Sequence, residues 1–236
     1  MNLDFTNKKI LVTGGTKGIG KCLVKNFREL GGKVWYTGRQ PQNNDPNYVQ
    51  VDFLNNLDFK KFISIIENIE FDIVVNNAGT NKIGPIEDYS VEDYSDILDL
   101  NLKSCFVIMK TVIPGMKKRG YGRLVNITSI SSEISMPLRS AYCSSKFGLV
   151  GLTKAASVEC AKHGVLINAV GPGVTTTKLT IDVLGDKKMQ EISEKIPIGR
   201  LATVEDISPV VMFMCSNLNT YMVGQNVIVD GGFICV

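Results

Sequence analysis

The chain has 236 residues, 44% of them hydrophobic and 21% charged, with a formal net charge of +3. That is enough apolar material for one substantial core, and the charge is too small and dispersed for a nucleic-acid-binding surface. Six cysteines, at 22, 105, 143, 160, 215 and 235, form no CxxC pair and predict free thiols, while a single histidine, His163, leaves no zinc ligand set, so no metal is expected.

In chain order, Met1 to Lys9 carries no apolar signal core, and no later apolar run is long enough to span a bilayer. A soluble, cytoplasmic protein is expected. Lys9–Thr13 predicts a first strand, Ile19–Leu30 a first helix and Lys33–Thr37 a second strand. Gln40 to Asn47, rich in Asn and Pro, is too short for a helix before the third strand at Tyr48–Val51 and reads as a loop. Helix Asp58–Asn68, strand Phe71–Val75, helix Val91–Lys118, strand Arg123–Thr128, helix Arg139–Lys162 and strand Val165–Val170 follow. Helix Val204–Cys215 and strand Gln225–Val229 close the chain. Strictly alternating strands and helices predict the α/β class: a doubly wound parallel sheet of seven strands with helices on both faces, in one domain over 1–236.

Two motifs carry chemistry. After the first strand stands Thr13-Gly14-Gly15-Thr16-Lys17-Gly18-Ile19-Gly20, a turn opening a helix. Glycines there let the backbone turn sharply and let a pyrophosphate approach main-chain N–H groups at the helix N-terminus. The spacing is Gly-x-x-x-Gly-x-Gly, not the commoner G-x-G-x-x-G, and a plain tight turn is the competing reading. The second strand ends in Tyr36-Thr37-Gly38-Arg39, with no acid to accept from an adenosine ribose 2′-hydroxyl. Arg39, with Lys17 in the turn, offers positive charge suited to a 2′-phosphate, which favours NADP(H) over NAD(H) unless both are solvated loop residues. Further on, Tyr142 and Lys146 lie four residues apart and Ser129 thirteen residues upstream. On a helix the phenol and ammonium share a face. A cation beside a phenol favours its ionised form and suits it to acid–base work, although Tyr and Lys one turn apart also describe an ordinary helix surface.

Together these motifs resemble the short-chain dehydrogenase/reductase family from end to end. The resemblance also rests on Asn76-Asn77-Ala78-Gly79 after the fourth strand, Asn101 within Leu100-Asn101-Leu102, Ser129 after Asn126-Ile127-Thr128, and Pro172-Gly173-Val174-Thr175 after the sixth strand. Pro197-Ile198-Gly199-Arg200 and Asp230-Gly231-Gly232 are similar to segments of bacterial 3-oxoacyl-carrier-protein reductases. The resemblance implies a Rossmann-like fold and an NADP(H)-dependent oxidoreductase. Tyr142 would be the general acid, Ser129 would hold the substrate oxygen, and Lys146 would tune Tyr142 and bind the nicotinamide ribose. Asn101 would position a water linking Lys146 to solvent, or serve a helix kink. Gly14, Thr16, Lys17, Gly18, Ile19 and Gly20 would cradle the pyrophosphate. Arg39 would face the 2′-phosphate, Asp52 and Phe53 the adenine, and Asn77, Ala78 and Gly79 the adenosine ribose. Pro172, Gly173 and Thr175 would line the pyrophosphate or carboxamide.

The segment 176–199 is expected to form a substrate lid. Its helical part, Lys178 to Glu194, mixes Leu179, Ile181, Val183, Leu184, Met189 and Ile192 with charges and does not name a substrate. The expected reaction is reduction of a ketone, 3-oxoacyl thioester-like or another small carbonyl, to a secondary alcohol, with a sugar, polyol or other secondary alcohol as the alternative. A substrate carried on an acyl carrier protein would need a basic docking patch, which Lys117, Lys118, Arg119 and Arg123 could form as any surface cluster could. His163, where such reductases often carry arginine, weighs against the carrier protein. Cys143, beside Tyr142, reads as a packed thiol sooner than a redox centre. A non-catalytic dinucleotide sensor would be expected to lack one of Ser129, Tyr142 and Lys146, and all three are present. The resemblance implies a homotetramer built through the two long helices.

Overall fold

The structure, a computed structural model, describes residues 3–42 and 45–236, less the side chains at 178, 179, 181–184 and 186. Seven strands form one parallel sheet: β1 (Lys9–Val12), β2 (Lys33–Gly38), β3 (Tyr48–Gln50), β4 (Ile73–Asn76), β5 (Gly122–Ile127), β6 (Val165–Pro172) and β7 (Asn226–Val229). Their order across the sheet is β3-β2-β1-β4-β5-β6-β7. The chain therefore reverses its winding between β1 and β4, and a crevice opens at the carboxyl ends of those two strands.

The helices are α1 (Gly18–Glu29), α2 (Asn56–Glu67), α3 (Val91–Leu98), α4 (Ser104–Arg119), α5 (Ser140–Cys160), α6 (Lys178–Ser193) and α7 (Val204–Cys215). Strand side chains alternate in direction, and the two halves of the core follow that parity. Ile10 and Val12 point to one face, where they pack with Leu23 and Phe27 of α1 and Val211 and Met214 of α7. Leu11 points to the other, with Phe62 of α2 and Ile108 and Met116 of α4. No helix joins β2 to β3, as the short Asn- and Pro-rich segment predicts; residues 43 and 44 of that loop lie outside the described residues.

One predicted helix is corrected. Val91–Lys118 is not continuous: five residues, Asp99–Lys103, form a π-helical turn between α3 and α4. Asn101, at the centre of that turn, has its side chain pulled aside by three hydrogen bonds to Thr80 and Ser145. Such tertiary bonds are what hold a helix in the wider, less stable turn. The predicted lid helix forms as α6 with a kink at Gly185, which takes φ 68° and ψ 164°. Of its apolar side chains, those of Leu179, Ile181, Val183 and Leu184 lie outside the described set.

Candidate active site

The crevice is built around Thr13. Its Oγ1 accepts from the main-chain N–H groups of Asn77 (2.9 Å) and Ala78 (3.0 Å), joining the ends of β1 and β4. In return the Asn77 side-chain amide donates to the carbonyls of Thr13 (2.9 Å) and Gly14 (3.2 Å). Thr37, at the end of β2, accepts from Gly14 N through its hydroxyl and from Gly15 N through its carbonyl. Gly14 and Gly18 take left-handed φ values of 64° and 51°. A Cβ on Gly20 would stand 2.3 Å from the Gly14 oxygen and 2.5 Å from the Asn77 amide. The turn therefore has a bare main-chain surface that a larger residue would fill, as a bound pyrophosphate requires.

Around it, Lys17 and Arg39 are exposed, and neither has an ion-pair partner among the described residues. Asp52 directs one carboxylate oxygen to Leu54 N (3.0 Å), capping the turn into α2. The Phe53 ring packs edge-on against Phe59 and Phe62, each 5.5 Å away, so its side chain belongs to the α2 packing and only its main chain is left for the crevice. Thr16 and Ile19 flank the turn, Ile19 packing on the core beneath α1. Pro172 ends β6, and the following Gly173 approaches Asp230 so closely that a Cβ would lie 2.8 Å from its Cα. Thr175 is buried and donates to the Gly173 carbonyl (3.0 Å). Thr177, the residue that caps α6, lies over the turn, its methyl 3.3 Å from where a Cβ on Gly18 would be.

The trio converges at the carboxyl end of β5. Ser129 follows that strand in extended backbone, and its Oγ accepts from Ser131 N at 3.1 Å. With a lone pair held by the backbone, the hydroxyl proton is left to donate outward. Tyr142, half-buried in the first turn of α5, lies one turn before Lys146. The Lys146 ammonium is 5.6 Å from the Tyr142 ring centroid and donates to the Ile127 carbonyl at 2.8 Å. That residue is only 5% exposed, with one protein acceptor for three N–H groups, so two are left for other partners.

Asn101 is fully buried, and its side chain is occupied: Oδ1 accepts from Thr80 N (2.8 Å), while Nδ2 donates to Thr80 O (2.9 Å) and Ser145 Oγ (3.0 Å). Ser145 in turn donates to the Tyr142 carbonyl (2.7 Å). Behind them, burial pushes the Cys105 thiol up to about 11, so it stays neutral. Cys143 is buried, as a packed thiol should be.

Thr13, Thr37, Ser145 and the Ile127 carbonyl are the parts of this site that sequence reasoning misses. Thr13 and Thr37 flank motif residues, and only the pairing of β1 with β2 and β4 brings their hydroxyls to the main-chain N–H groups they accept from. The suggested basic docking patch is corrected. Arg123 is 7% exposed, its guanidinium donating to the carbonyls of Gly122, Gly164, Ser216 and Asn219. Arg119 donates to Phe71 O. With Lys117 and Lys118, which precede β5, these residues lie at its start, whereas Ser129 lies beyond its far end, roughly 20 Å along a six-residue strand. Among the described residues no group of His, Cys, Asp and Glu is placed to hold a metal ion, and no helix is long and apolar enough to cross a membrane.

A family model described as enoyl-(acyl carrier protein) reductase matches residues 14–234. Among curated proteins, the chain is 35% identical to the 3-oxoacyl-[acyl-carrier-protein] reductase FabG of Rickettsia typhi, over 99% of this chain and 100% of that one. Among solved structures it is similar to a candidate NAD(P)-dependent gluconate 5-dehydrogenase from Beutenbergia cavernae with bound NADP (29% identity, TM-score 0.93, 99% of each chain). It is also similar to a 4-hydroxyisoleucine dehydrogenase complexed with NADH (27% identity, TM-score 0.91, 98% of this chain and 100% of that one). The two solved structures hold NADP and NADH respectively, and the relatives' names differ in substrate.

Proposed function

The chain belongs to the short-chain dehydrogenase/reductase family, and from that premise we propose that it reduces a ketone to a secondary alcohol with NADPH. The ketone is 3-oxoacyl thioester-like or another small carbonyl; oxidation of a sugar, polyol or other secondary alcohol is the second reading, favoured by the gluconate and 4-hydroxyisoleucine dehydrogenases among the structural relatives. The observation that carries it is the convergence of Ser129, Tyr142 and a buried Lys146 with two free N–H groups beside a glycine turn.

When bound, the dinucleotide supplies the hydride; the chain supplies position and the proton. Gly14, Thr16, Gly18, Ile19 and Gly20 would hold its pyrophosphate, with Thr175, Pro172 and Gly173 bordering it. Asn77, Ala78 and Gly79 would hold the adenosine ribose, Asp52 and the main chain of Phe53 the adenine, and Lys17 and Arg39 the 2′-phosphate. Ser129 donates a hydrogen bond to the substrate oxygen and steadies the charge growing there. Tyr142 gives that oxygen its proton. Lys146 stabilises the resulting phenolate, and its two remaining N–H groups serve the nicotinamide ribose and a water. Asn101 holds the Gly79–Thr80 segment against Lys146, and its main-chain carbonyl, in the π turn, would seat that water. We also assign the apolar outer faces of α4 and α5, with Phe106, Phe147 and Val158 each roughly half or more exposed, to assembly of a homotetramer.

Tyr142→Phe tests the chemistry: it should bind NADPH like the parent and lose at least about two orders of magnitude in kcat, the contribution usual for a general acid. Unchanged turnover on a verified substrate would refute the assignment. For the cofactor, the parent should bind NADPH more tightly than NADH, and Arg39→Ala should shrink the ratio by about tenfold, one charge-assisted contact. Equal affinities in the parent, or a ratio indifferent to Arg39, would remove the preference.

A further inference from the structure

Two polar side chains at the mouth of the site have no protein partner among the described residues. Asn81, in the loop after β4, makes no hydrogen bond among the described residues, and its Oδ1 is closed off from solvent. Arg139 is half-buried at the residue that caps the start of α5, and among the described residues no carboxylate lies within ion-pair distance of it. Buried polar groups are ordinarily paired, because an unpaired one forfeits its water without recompense. The neighbouring charges are already engaged: Lys82 pairs with Asp93, and Glu133 accepts from the Asn226 amide (2.7 Å). Arg139 is therefore the uncompensated cation of this mouth among the described residues.

The loops bring the two residues to one place. Thr80 is clamped by Asn101, and a Cβ on the preceding Gly79 would lie 3.8 Å from the Lys146 ammonium. Four residues further on, Gly84 N donates to the Leu138 carbonyl (3.0 Å). The Tyr89 hydroxyl bonds the carbonyls of both Lys82 and Leu138. Burial raises the Tyr89 phenol, and the charges of Lys82 and Arg139 offset part of that rise. Asn81 thus lies between an anchor at Lys146 and an anchor at Leu138, the residue before Arg139. Leu138 holds a left-handed φ of 64° there. Arg139 also stands three residues before Tyr142, immediately ahead of the first turn of α5.

We propose that Arg139 and Asn81 form a carboxylate subsite, and that the substrate is a small keto or hydroxy acid whose carboxylate docks there while its carbonyl meets Ser129 and Tyr142. This rests on the reductase reading of the trio. A planar guanidinium matches a carboxylate with two parallel hydrogen bonds, which an uncharged thioester cannot satisfy. With its Oδ1 closed off from solvent, Asn81 would meet the carboxylate through its amide N–H groups, which donate to an acid's oxygen.

Acetoacetate, levulinate and 5-ketogluconate, each paired with its methyl ester, test the subsite. Binding is titrated calorimetrically into the protein with NADP⁺ present, so the result does not depend on turnover. At least one acid should bind the parent about tenfold or more tightly than its ester, the worth of one charge-assisted contact. Arg139→Gln should abolish that preference, Arg139→Lys should restore part of it, and Asn81→Leu should reduce it. No preference in any pair, or a preference that survives Arg139→Gln, overturns the subsite. A purely structural role for Arg139 would weaken acid and ester alike, which also overturns it. Turnover with NADPH is read separately: if keto acids bind as expected but no ketone in the set, nor an acetoacetyl thioester, is reduced, the reductase reading fails and the subsite stands.

Discussion

At the scale of single residues, the site is decided by atoms that leave room. Gly20 is the sharpest case, since a Cβ there would stand 2.3 Å from a main-chain oxygen that cannot swing aside. Gly20→Ala should therefore push the glycine turn away from Asn77, destabilising the fold by about 3 kcal/mol and weakening NADPH binding together. Urea unfolding and fluorescence titration check both, and a variant with unchanged stability would show that the turn relaxes freely. Ser129 and Tyr142 are legible in the sequence because their chemistry is tied to spacing along one helix and one strand end. Arg123 is not legible: beside Lys117, Lys118 and Arg119 it reads as one more surface cation, and only the folded chain brings four carbonyls around it.

Among the elements, α7 shows how a local cap and a charge pair set a pH dependence. Asp206 accepts from Arg200 with both oxygens (2.6 and 2.8 Å) and from Thr203 N (2.7 Å) at the start of the helix. The hydrogen bonds from Arg200, and then from Thr203, hold its carboxyl well below the usual carboxylate range. A carboxylate depressed on folding stabilises the protein above its unfolded value and loses that effect as pH falls through the folded one. Asp206→Asn should accordingly lower Tm at pH 7, with the gap to the parent closing as pH drops below about 4, the ordinary carboxylate value. A gap that stays constant from pH 7 to pH 3 would show that the carboxylate's charge is irrelevant to the cap. The seven strands are legible because each is a short apolar run bounded by turn residues. The π turn is legible only as the kink that Asn101 could serve, since residues 91–118 contain no Gly near the break; what opens it is the Asn101 side chain bonding Thr80 and Ser145.

At the scale of the whole molecule, the doubly wound order puts the glycine turn and the trio at the same end of the sheet, and the alternation of strands and helices is enough to foresee it. The proposed homotetramer is not written in that alternation and rests on exposed apolar residues of α4 and α5. Size-exclusion light scattering should give four chains per particle, and Phe147→Glu should yield smaller species, because a charge would have to be buried in the helix contact. A monomeric parent would remove the tetramer. The π turn, finally, has a bearing on how the chain tolerates change in length. One residue more than an α-helix needs amounts to a phase step of about 100° between α3 and α4. Deleting a single residue within Asp99–Lys103 would mend the hydrogen-bond ladder and yet rotate Ile108, Met109 and Met116 off the sheet. The turn thus acts as a register peg, so that insertions and deletions should be accepted in the surface loops and refused at this one buried place.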